Sequence, residues 1–242
     1  MSKVAPGSSG RLTACLVGMV VFFSVLLASP LCASEYEDIV ERAFATMDDS
    51  YEESWSFTEV SMREEVRYEA SFDPRRKQEE RWILVSVDGR EPTKEETEDF
   101  LEEKAEILEE EAKDERENEV DMAPGTLTLL EETGEYWLFS FVPADEEEGE
   151  KFMKHVDGTM KVVKEGHYVE FIDLRSPEPF KPAMGVKIKT FLTRITFGPA
   201  VPDGPVVPMS VDVRVEGSAL FAIKFDEAET IQFLDYEYVG EN

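Results

Sequence analysis

Residues 186–197 read VKIKTFLTRITF and residues 206–215 read VVPMSVDVRV, two long segments rich in β-branched and aromatic side chains. Apolar segments of this kind, separated by short connections containing glycine or proline, continue from Thr159 to Val239. Such a series is typical of antiparallel strands joined by hairpins. The sequence therefore predicts most of one antiparallel sheet, with an apolar face that something must cover. The predicted strands are Thr159–Lys164, His167–Leu174, Val186–Phe197, Val206–Val215 and Ala219–Phe225, with Thr230–Val239 pairing or trailing at the edge.

The first half of the mature chain adds a helix and further strands. Apolar residues from Tyr36 to Met47 recur at helical spacing, which predicts an amphipathic helix packed on the sheet. Arg81–Val87 is apolar on both faces, which predicts a central strand. Further strands are expected at Trp55–Phe57, Val66–Phe72, Thr126–Leu130 and Tyr136–Val142. The fold class is thus α+β, with about ten strands in a strongly curved antiparallel sheet.

A second predicted helix, near residues 93–118, is very acidic. Thr93 and Glu96 form the pattern of a capping box at its start. From Glu95 to Glu150 there are 23 acidic and 3 basic residues, and no loop in this segment has the spacing of a calcium site. We therefore expect a solvated helical insertion that covers little of the sheet, within a single domain comprising residues 34–242.

The N-terminus predicts export. Lys3 and Arg11 precede the apolar stretch Leu12–Ser29, and small residues up to Ala33 follow it. This is the pattern of a cleaved signal peptide over residues 1–33, which places the mature protein in the periplasm. The alternative is a membrane anchor formed by an uncleaved Leu12–Ser29 segment. Both cysteines lie within residues 1–33, so the mature chain would have none.

The net charge excludes one class of partner. The whole chain has a net charge of −29, and residues 34–242 carry 23 basic and 54 acidic side chains. Binding to duplex nucleic acid depends on neutralising phosphates, so we expect no nucleic-acid partner. Two explanations of the acidity remain open, a solvated surface adapted to salt and an acidic patch for a cationic partner.

Residue types that support catalysis are scarce. The chain has two histidines, His155 and His167, and neither lies in a zinc-site spacing. The sequence contains no nucleophile elbow, P-loop or dinucleotide glycine motif. We therefore expect no enzyme activity, no metal and no cofactor. A hydrolase that uses a pair of unidentified carboxylates is the third functional hypothesis.

Basic residues are concentrated in one segment. Between Lys151 and Arg194 there are nine basic and five acidic residues. One interpretation is that these bases neutralise the acidic helix within the fold. The other is a rim that meets anionic lipid headgroups or an acidic partner, with Lys161, Lys181, Lys187 and Lys189 as the candidates.

Large apolar residues fall on one parity of their predicted strands. A closed core explains this pattern, and so does a concave sheet that binds an acyl chain, because apolar cavities hold apolar ligands with few polar contacts. The candidate lining residues are Trp55, Phe57, Trp137, Phe139, Phe141, Phe191, Ile195, Phe197, Phe221 and Phe225.

The order of the predicted elements resembles the half-barrel fold of periplasmic lipoprotein carriers. The segment from Arg81-Trp82-Ile83-Leu84 to Asp88-Gly89-Arg90-Glu91-Pro92-Thr93 also resembles one found in uncharacterised exported bacterial proteins. The first resemblance implies a curved sheet lidded by helices and a non-catalytic protein that binds or carries a lipid or lipoprotein acyl chain. The alternative is a structural protein with a filled core and an envelope protein as its partner.

Overall fold

The computed structural model describes residues 31–48, 50–111, 122–144, 152–220 and 223–240 of the chain. Its α-helices in this part are α1 (Leu31–Phe44), α2 (Tyr51–Ser54) and α3 (Lys94–Glu111). The strands are β1 (Trp55–Arg63), β2 (Val66–Phe72), β3 (Trp82–Val87), β4 (Thr128–Glu132), β5 (Tyr136–Phe141), β6 (Asp157–Val163), β7 (Tyr168–Arg175), β8 (Val186–Pro199), β9 (Val206–Ala219) and β10 (Ile223–Tyr238). No helix within the described residues has the length and apolar character needed to cross a membrane.

The ten strands form one antiparallel sheet in the order β3-β2-β1-β10-β9-β8-β7-β6-β5-β4. Strands β4 to β10 follow one another along the chain, as their short connections predict. The last strand then pairs with the first, in a register that places Trp55 opposite Tyr238. Strands β3 and β4 are the two edges, so the sheet is not closed. The prediction of a mainly antiparallel sheet of about ten strands is confirmed.

Two strand predictions were wrong. The segment Arg81–Val87 was expected in the middle of the sheet, but β3 is an edge strand in which Ile83 and Val85 are exposed. The segments Ala219–Phe225 and Thr230–Val239 were expected as separate strands, the latter at an edge. Ala219 instead ends β9, and β10 is one continuous strand between β9 and β1. Apolar composition alone does not distinguish an edge strand from a central one.

One row of paired residues crosses the whole sheet and defines its apolar face. Residues opposite one another in an antiparallel pair point to the same side. The row contains one residue from each strand and is apolar except for a single serine. From β4 to β3 it comprises Leu129, Phe139, Met160, Ile172, Ile195, Val211, Ile231, Ser61, Tyr68 and Val87.

The adjacent row, one residue along each strand, defines the polar face. It crosses nine strands from β5 to β3 and contains mostly polar side chains, namely Leu138, Lys161, Phe171, Thr196, Ser210, Gln232, Val60, Glu69 and Ser86. Hydrogen bonds between neighbouring strands stabilise this face. The hydroxyl groups of Thr196 and Ser210 form a hydrogen bond with an oxygen–oxygen distance of 2.8 Å. Arg194 donates a hydrogen bond to each carboxylate oxygen of Asp173, both at 2.5 Å.

The buried side chains form three clusters. The first cluster joins Ile39, Val40 and Ala43 of α1 to residues of β5, β6 and β7 such as Phe139 and Ile172. The second cluster comprises Trp55, Phe57, Phe72, Val207 and Tyr236. The third cluster joins Phe100 of α3 to Ala70, Leu84 and Val87.

Helix α3 begins as its sequence predicts. The amide of Glu96 donates to Thr93 Oγ1 at 3.2 Å, and the amide of Thr93 donates to Glu96 Oε2 at 2.7 Å. These two bonds are the predicted capping box. Residues 1–30 of the predicted signal peptide and the final part of the predicted acidic helix, near residues 112–118, lie outside the described residues.

Candidate binding strip

The middle of the apolar face differs from its two sides in accessibility. Phe139, Met160 and Ile172 in the row are at most 1% exposed, and Val87 at the other side is 1% exposed. The side chains between them, on β8, β9 and β10, are only half-buried. We call these residues the central strip. They are Ile195, Val211, Val213, Val215 and Ile231.

The three clusters surround the central strip on three sides. The first cluster lies on the β5–β7 side, and the third cluster lies on β2 and β3 at the opposite side. The second cluster lies at the end of the sheet where Val207 of β9 and Tyr236 of β10 are buried. The strip is about 13 Å long on β9, from the four-residue separation of Val211 and Val215. It is about 10 Å wide in the row of Ile195, Val211 and Ile231, whereas Glu229 and Glu227 of β10 lie opposite Val213 and Val215.

Several aromatic candidates lie in the first cluster rather than in open space. Phe139 and Phe141 are fully buried there, and Tyr36 of α1 contacts the ring of Phe139 at a centroid distance of 5.7 Å. The other candidates that pack against this cluster are partly buried, namely Trp137, Phe191 and Phe197. On this side the aromatic residues fill a core.

The remaining candidates are distributed over the same face. Trp55 and Phe57 are buried in the second cluster. Ile195 lies on the apolar face and is half-buried. It is the one candidate that belongs to the central strip. Phe225 covers Gly217, where an added Cβ would lie 2.4 Å from the Phe225 ring. Phe221 lies outside the described residues.

A charged network forms the β1 border of the strip. Arg63 Nη1 donates to Glu103 of α3 at 2.6 Å, and Arg63 Nε donates to Glu229 of β10. The hydrogen bond that Arg63 donates to Glu103 raises the pKa of Arg63 and lowers the pKa of Glu103. Both carboxylates are therefore committed to one guanidinium, and Glu103 is held in its ionised form.

A second ion pair lies deeper under α3. Lys104 Nζ donates to both carboxylate oxygens of Glu59, at 2.9 and 2.7 Å, and lies 4.2 Å from the centre of the Trp82 ring. The Glu59 side chain is 4% exposed and that of Lys104 is 12% exposed. The sequence predicted that α3 would contribute little cover, because it has few apolar residues. Its contact with the sheet instead relies on charged side chains as well as Phe100.

The four lysine candidates do not line the apolar face. Lys161 lies on the polar face, where it binds Glu170 at 2.5 Å, and Lys189 binds Glu216 at 2.7 Å. Lys187 pairs with Ser218. This pair is adjacent to the pair of Ile188 and Gly217 on the apolar face, so Lys187 lies on the opposite face of the sheet. Lys181 is exposed in the β7–β8 connection. Lys161 and Lys189 thus pair with acids of neighbouring strands and not with the acidic helix.

The histidines serve packing in this structure. His167 Nε2 donates to the carbonyl of Ile39 at 3.0 Å, which ties the β6–β7 turn to α1. The His155 ring stacks on Phe180 at a centroid distance of 4.7 Å. Among the described residues, no group of three or more histidine, cysteine, aspartate or glutamate side chains is arranged to hold a metal ion.

The sequence analysis missed most of the central strip. Val211, Val213 and Val215 alternate with Asp212 and Arg214, so the period of a half-buried strand was visible. Most of the predicted lining residues are large aromatic side chains, and most of these pack in the first or the second cluster. The distinguishing signal was therefore an aliphatic alternation without aromatic residues.

Comparison with protein-family models, with curated proteins and with solved structures gave no significant match to this chain. The resemblance to periplasmic lipoprotein carriers therefore stays a prediction.

Proposed function

We propose that this chain is a non-catalytic periplasmic binding or carrier protein that holds a lipid or lipoprotein acyl chain against the central strip. The observation that carries the proposal is the accessibility of the strip. Ile195, Val211 and Ile231 are half-buried in a row in which Phe139, Met160 and Ile172 are buried on one side and Ser61 and Val87 on the other. Aliphatic side chains offer an acyl chain contact without hydrogen-bonding groups that would need a partner.

The dimensions of the strip favour a chain-like ligand over a protein partner. The area of the strip is at most about 130 Å², the product of its length and its greatest width, whereas each partner in a stable protein complex buries about 800 Å². The proposal needs a half-barrel, in which a strongly curved sheet wraps around the strip and α1 lies over its apolar face. The contacts of Ile39, Val40 and Ala43 with the first cluster support that arrangement.

The carboxylates beside the strip support binding rather than hydrolysis. A general acid needs a raised pKa, so that it carries a proton at neutral pH. Arg63 instead lowers the pKa of Glu103, and Glu229 contacts the same guanidinium. This pair acts as a polar border, which would keep water and charged groups at the edge of the strip.

The test is binding of a fluorescent fatty acid by the mature chain, residues 34–242, together with native mass spectrometry of the purified protein. We expect saturable binding and a co-purified lipid mass. Val213→Asp places a charge in the strip and should weaken binding at least tenfold. Val85→Asp is the matched control, because Val85 is 48% exposed on the edge strand β3. We expect it to leave binding unchanged.

A structural role without a ligand is the second candidate, favoured by the complete burial of Phe139 and Phe141 under α1. In that case the wild-type chain would bind no fatty acid and carry no lipid mass. Equal binding by the Val213→Asp and Val85→Asp variants would place the ligand elsewhere and overturn the strip as its site.

A further inference from the structure

Strands β8, β9 and β10 continue past their neighbours at one end of the sheet. The pairing of β7 with β8 ends at Arg175 and Leu192, and that of β1 with β10 ends at Arg63 and Glu229. Beyond these pairs, residues 186–191, 215–219 and 223–228 form a three-stranded arm. Six residues of strand make the arm about 20 Å long.

The end of the arm exposes large apolar side chains. Met184 is 99% exposed, Leu220 is 72% exposed and Ile223 is 58% exposed. They are close together, because Val186 and Ile223 pair with Ala219 from its two sides and Leu220 Cδ2 lies 3.9 Å from the Cβ position of Gly185. Exposed apolar side chains that are grouped in this way mark an interaction site.

The backbone at Leu220 adds to this observation. Leu220 has a φ of 47°, in the left-handed region where glycine is favoured. A bulky side chain at such a position costs conformational energy, and its exposure costs solvation energy. Contact of the Leu220 side chain with another molecule would offset the solvation cost.

Lysines surround this apolar group. Lys187 and Lys224 pair with Ser218 from its two sides, so they lie on one face about 10 Å apart. Residues 180–189 and 216–225, which form the end of the arm, together contain four lysines and one glutamate, a net charge of +3 in a chain whose net charge is −29, whereas Asp226 and Glu227 follow farther along the arm. The glutamate, Glu216, is bound by Lys189. Lys181, Lys187 and Lys224 are exposed.

We propose that the end of the arm docks on a lipid bilayer that contains anionic phospholipids. Apolar side chains enter the boundary between headgroups and acyl chains, and lysines beside them bind headgroup phosphates. Electrostatic interactions are screened over a Debye length of about 8 Å at physiological ionic strength, so the lysines at the end of the arm act on the bilayer more strongly than the acidic residues farther along the sheet.

Membrane docking goes beyond the proposed function and does not require that the central strip binds an acyl chain. The test is flotation of the mature chain, residues 34–242, with vesicles of phosphatidylglycerol and phosphatidylcholine in equal parts, and with vesicles of phosphatidylcholine alone. We expect binding to the anionic vesicles that weakens as salt is added. Lys187→Glu with Lys224→Glu should weaken it by about 25-fold, from about fivefold for each lysine lost near an anionic surface.

Matched variants separate docking from net charge and from folding. Lys77→Glu with Lys94→Glu changes the net charge equally at two exposed lysines away from the arm, and we expect little effect. Leu220→Ser should reduce vesicle binding, whereas Leu130→Ser, at a leucine that is 54% exposed on β4, should not. Urea unfolding of each variant confirms that it is folded.

Three results would overturn the proposal: no binding of the wild-type chain to anionic vesicles, equal loss of binding with both lysine pairs, or self-association through Leu220 without vesicle binding. The strip and the arm are tested separately. Val213→Asp should leave vesicle binding intact, and Lys187→Glu with Lys224→Glu should leave fatty-acid binding in solution intact.

Discussion

At the level of single residues, the ion pair of Lys104 and Glu59 is the interaction whose loss should cost most. Both side chains are almost fully buried, so removing one partner leaves a desolvated charge. We expect Lys104→Met to lower the free energy of unfolding by about 3–5 kcal/mol, the range for a broken buried pair. Urea unfolding followed by circular dichroism measures the loss.

Two variants make this result interpretable. Lys94→Met removes the partner of Glu98 in the same helix, where the side chains are 87% and 64% exposed. An exposed pair of this kind contributes about 0.5 kcal/mol or less. Adding Glu59→Leu to Lys104→Met should recover much of the stability, because no unpaired charge is then buried. Equal losses for Lys104→Met and Lys94→Met would show that the buried pair has no special weight.

At the level of elements, the start of α3 depends on one carboxylate. The hydrogen bond from Arg90, followed by the bond from the Thr93 amide, lowers the pKa of Glu96 to about 2. In an unfolded chain a glutamate has a pKa of about 4.3. The ionised Glu96 therefore stabilises the folded helix start above about pH 4.3, and this stabilisation is lost as the pH falls from about 4.3 towards 2.

We expect the protection of the Thr93 and Glu96 amides, which is the ratio of the intrinsic to the observed exchange rate, to fall over that pH interval, as measured by NMR. Glu96→Gln should remove the pH dependence of the protection, because the side chain no longer titrates. Glu95→Gln alters the charge of the same turn without touching Arg90 or Thr93, so it should retain that pH dependence. Unchanged protection down to pH 2 in the wild-type chain would contradict the role of Glu96.

The helices and most strands could be predicted because their signals are local. The capping box of Thr93 and Glu96 lies within four residues, and the alternation over Val66–Phe72 lies within one strand. The contact of α3 with β1 could not be predicted, because the pairing of Lys104 with Glu59 joins distant segments in a sequence full of acidic residues. One glutamate among 54 acidic residues has no distinguishing local pattern.

At the level of the whole molecule, the strand order could be predicted only where strands that are consecutive in the sequence are also neighbours in the sheet. Strands β4 to β10 are neighbours in the order of the chain, whereas the pairing of β1 with β10 joins strands that are far apart in the sequence. That pairing places β10 inside the sheet and β3 at its edge, the two points at which the sequence analysis was wrong. It also creates the central strip, because Ile231 completes the row beside Val211.

The same pairing should decide whether the molecule unfolds as one unit. Among the described strands, β10 alone joins β1, β2 and β3 to the rest of the sheet. A chain that ends at Glu229 keeps the pairs of β10 with β9 from Ile223 to Glu229 but loses every pair with β1 except that of Arg63. It also loses Tyr236 from the second cluster. We expect its urea unfolding to become non-cooperative, with tryptophan fluorescence changing before circular dichroism.

A chain that ends at Gly240 is the control, because it retains every residue of β10 and should unfold in a single transition like the full chain. If the chain ending at Glu229 also unfolds in one transition of unchanged slope, then β1 to β3 are held by other contacts and the pairing is not the link between the two parts. We further expect the full chain to fold slowly, because Trp55 must pair with Tyr238 across a long sequence separation. Folding should then become productive only after β10 is present, which a comparison of refolding yields for the two truncated chains measures directly.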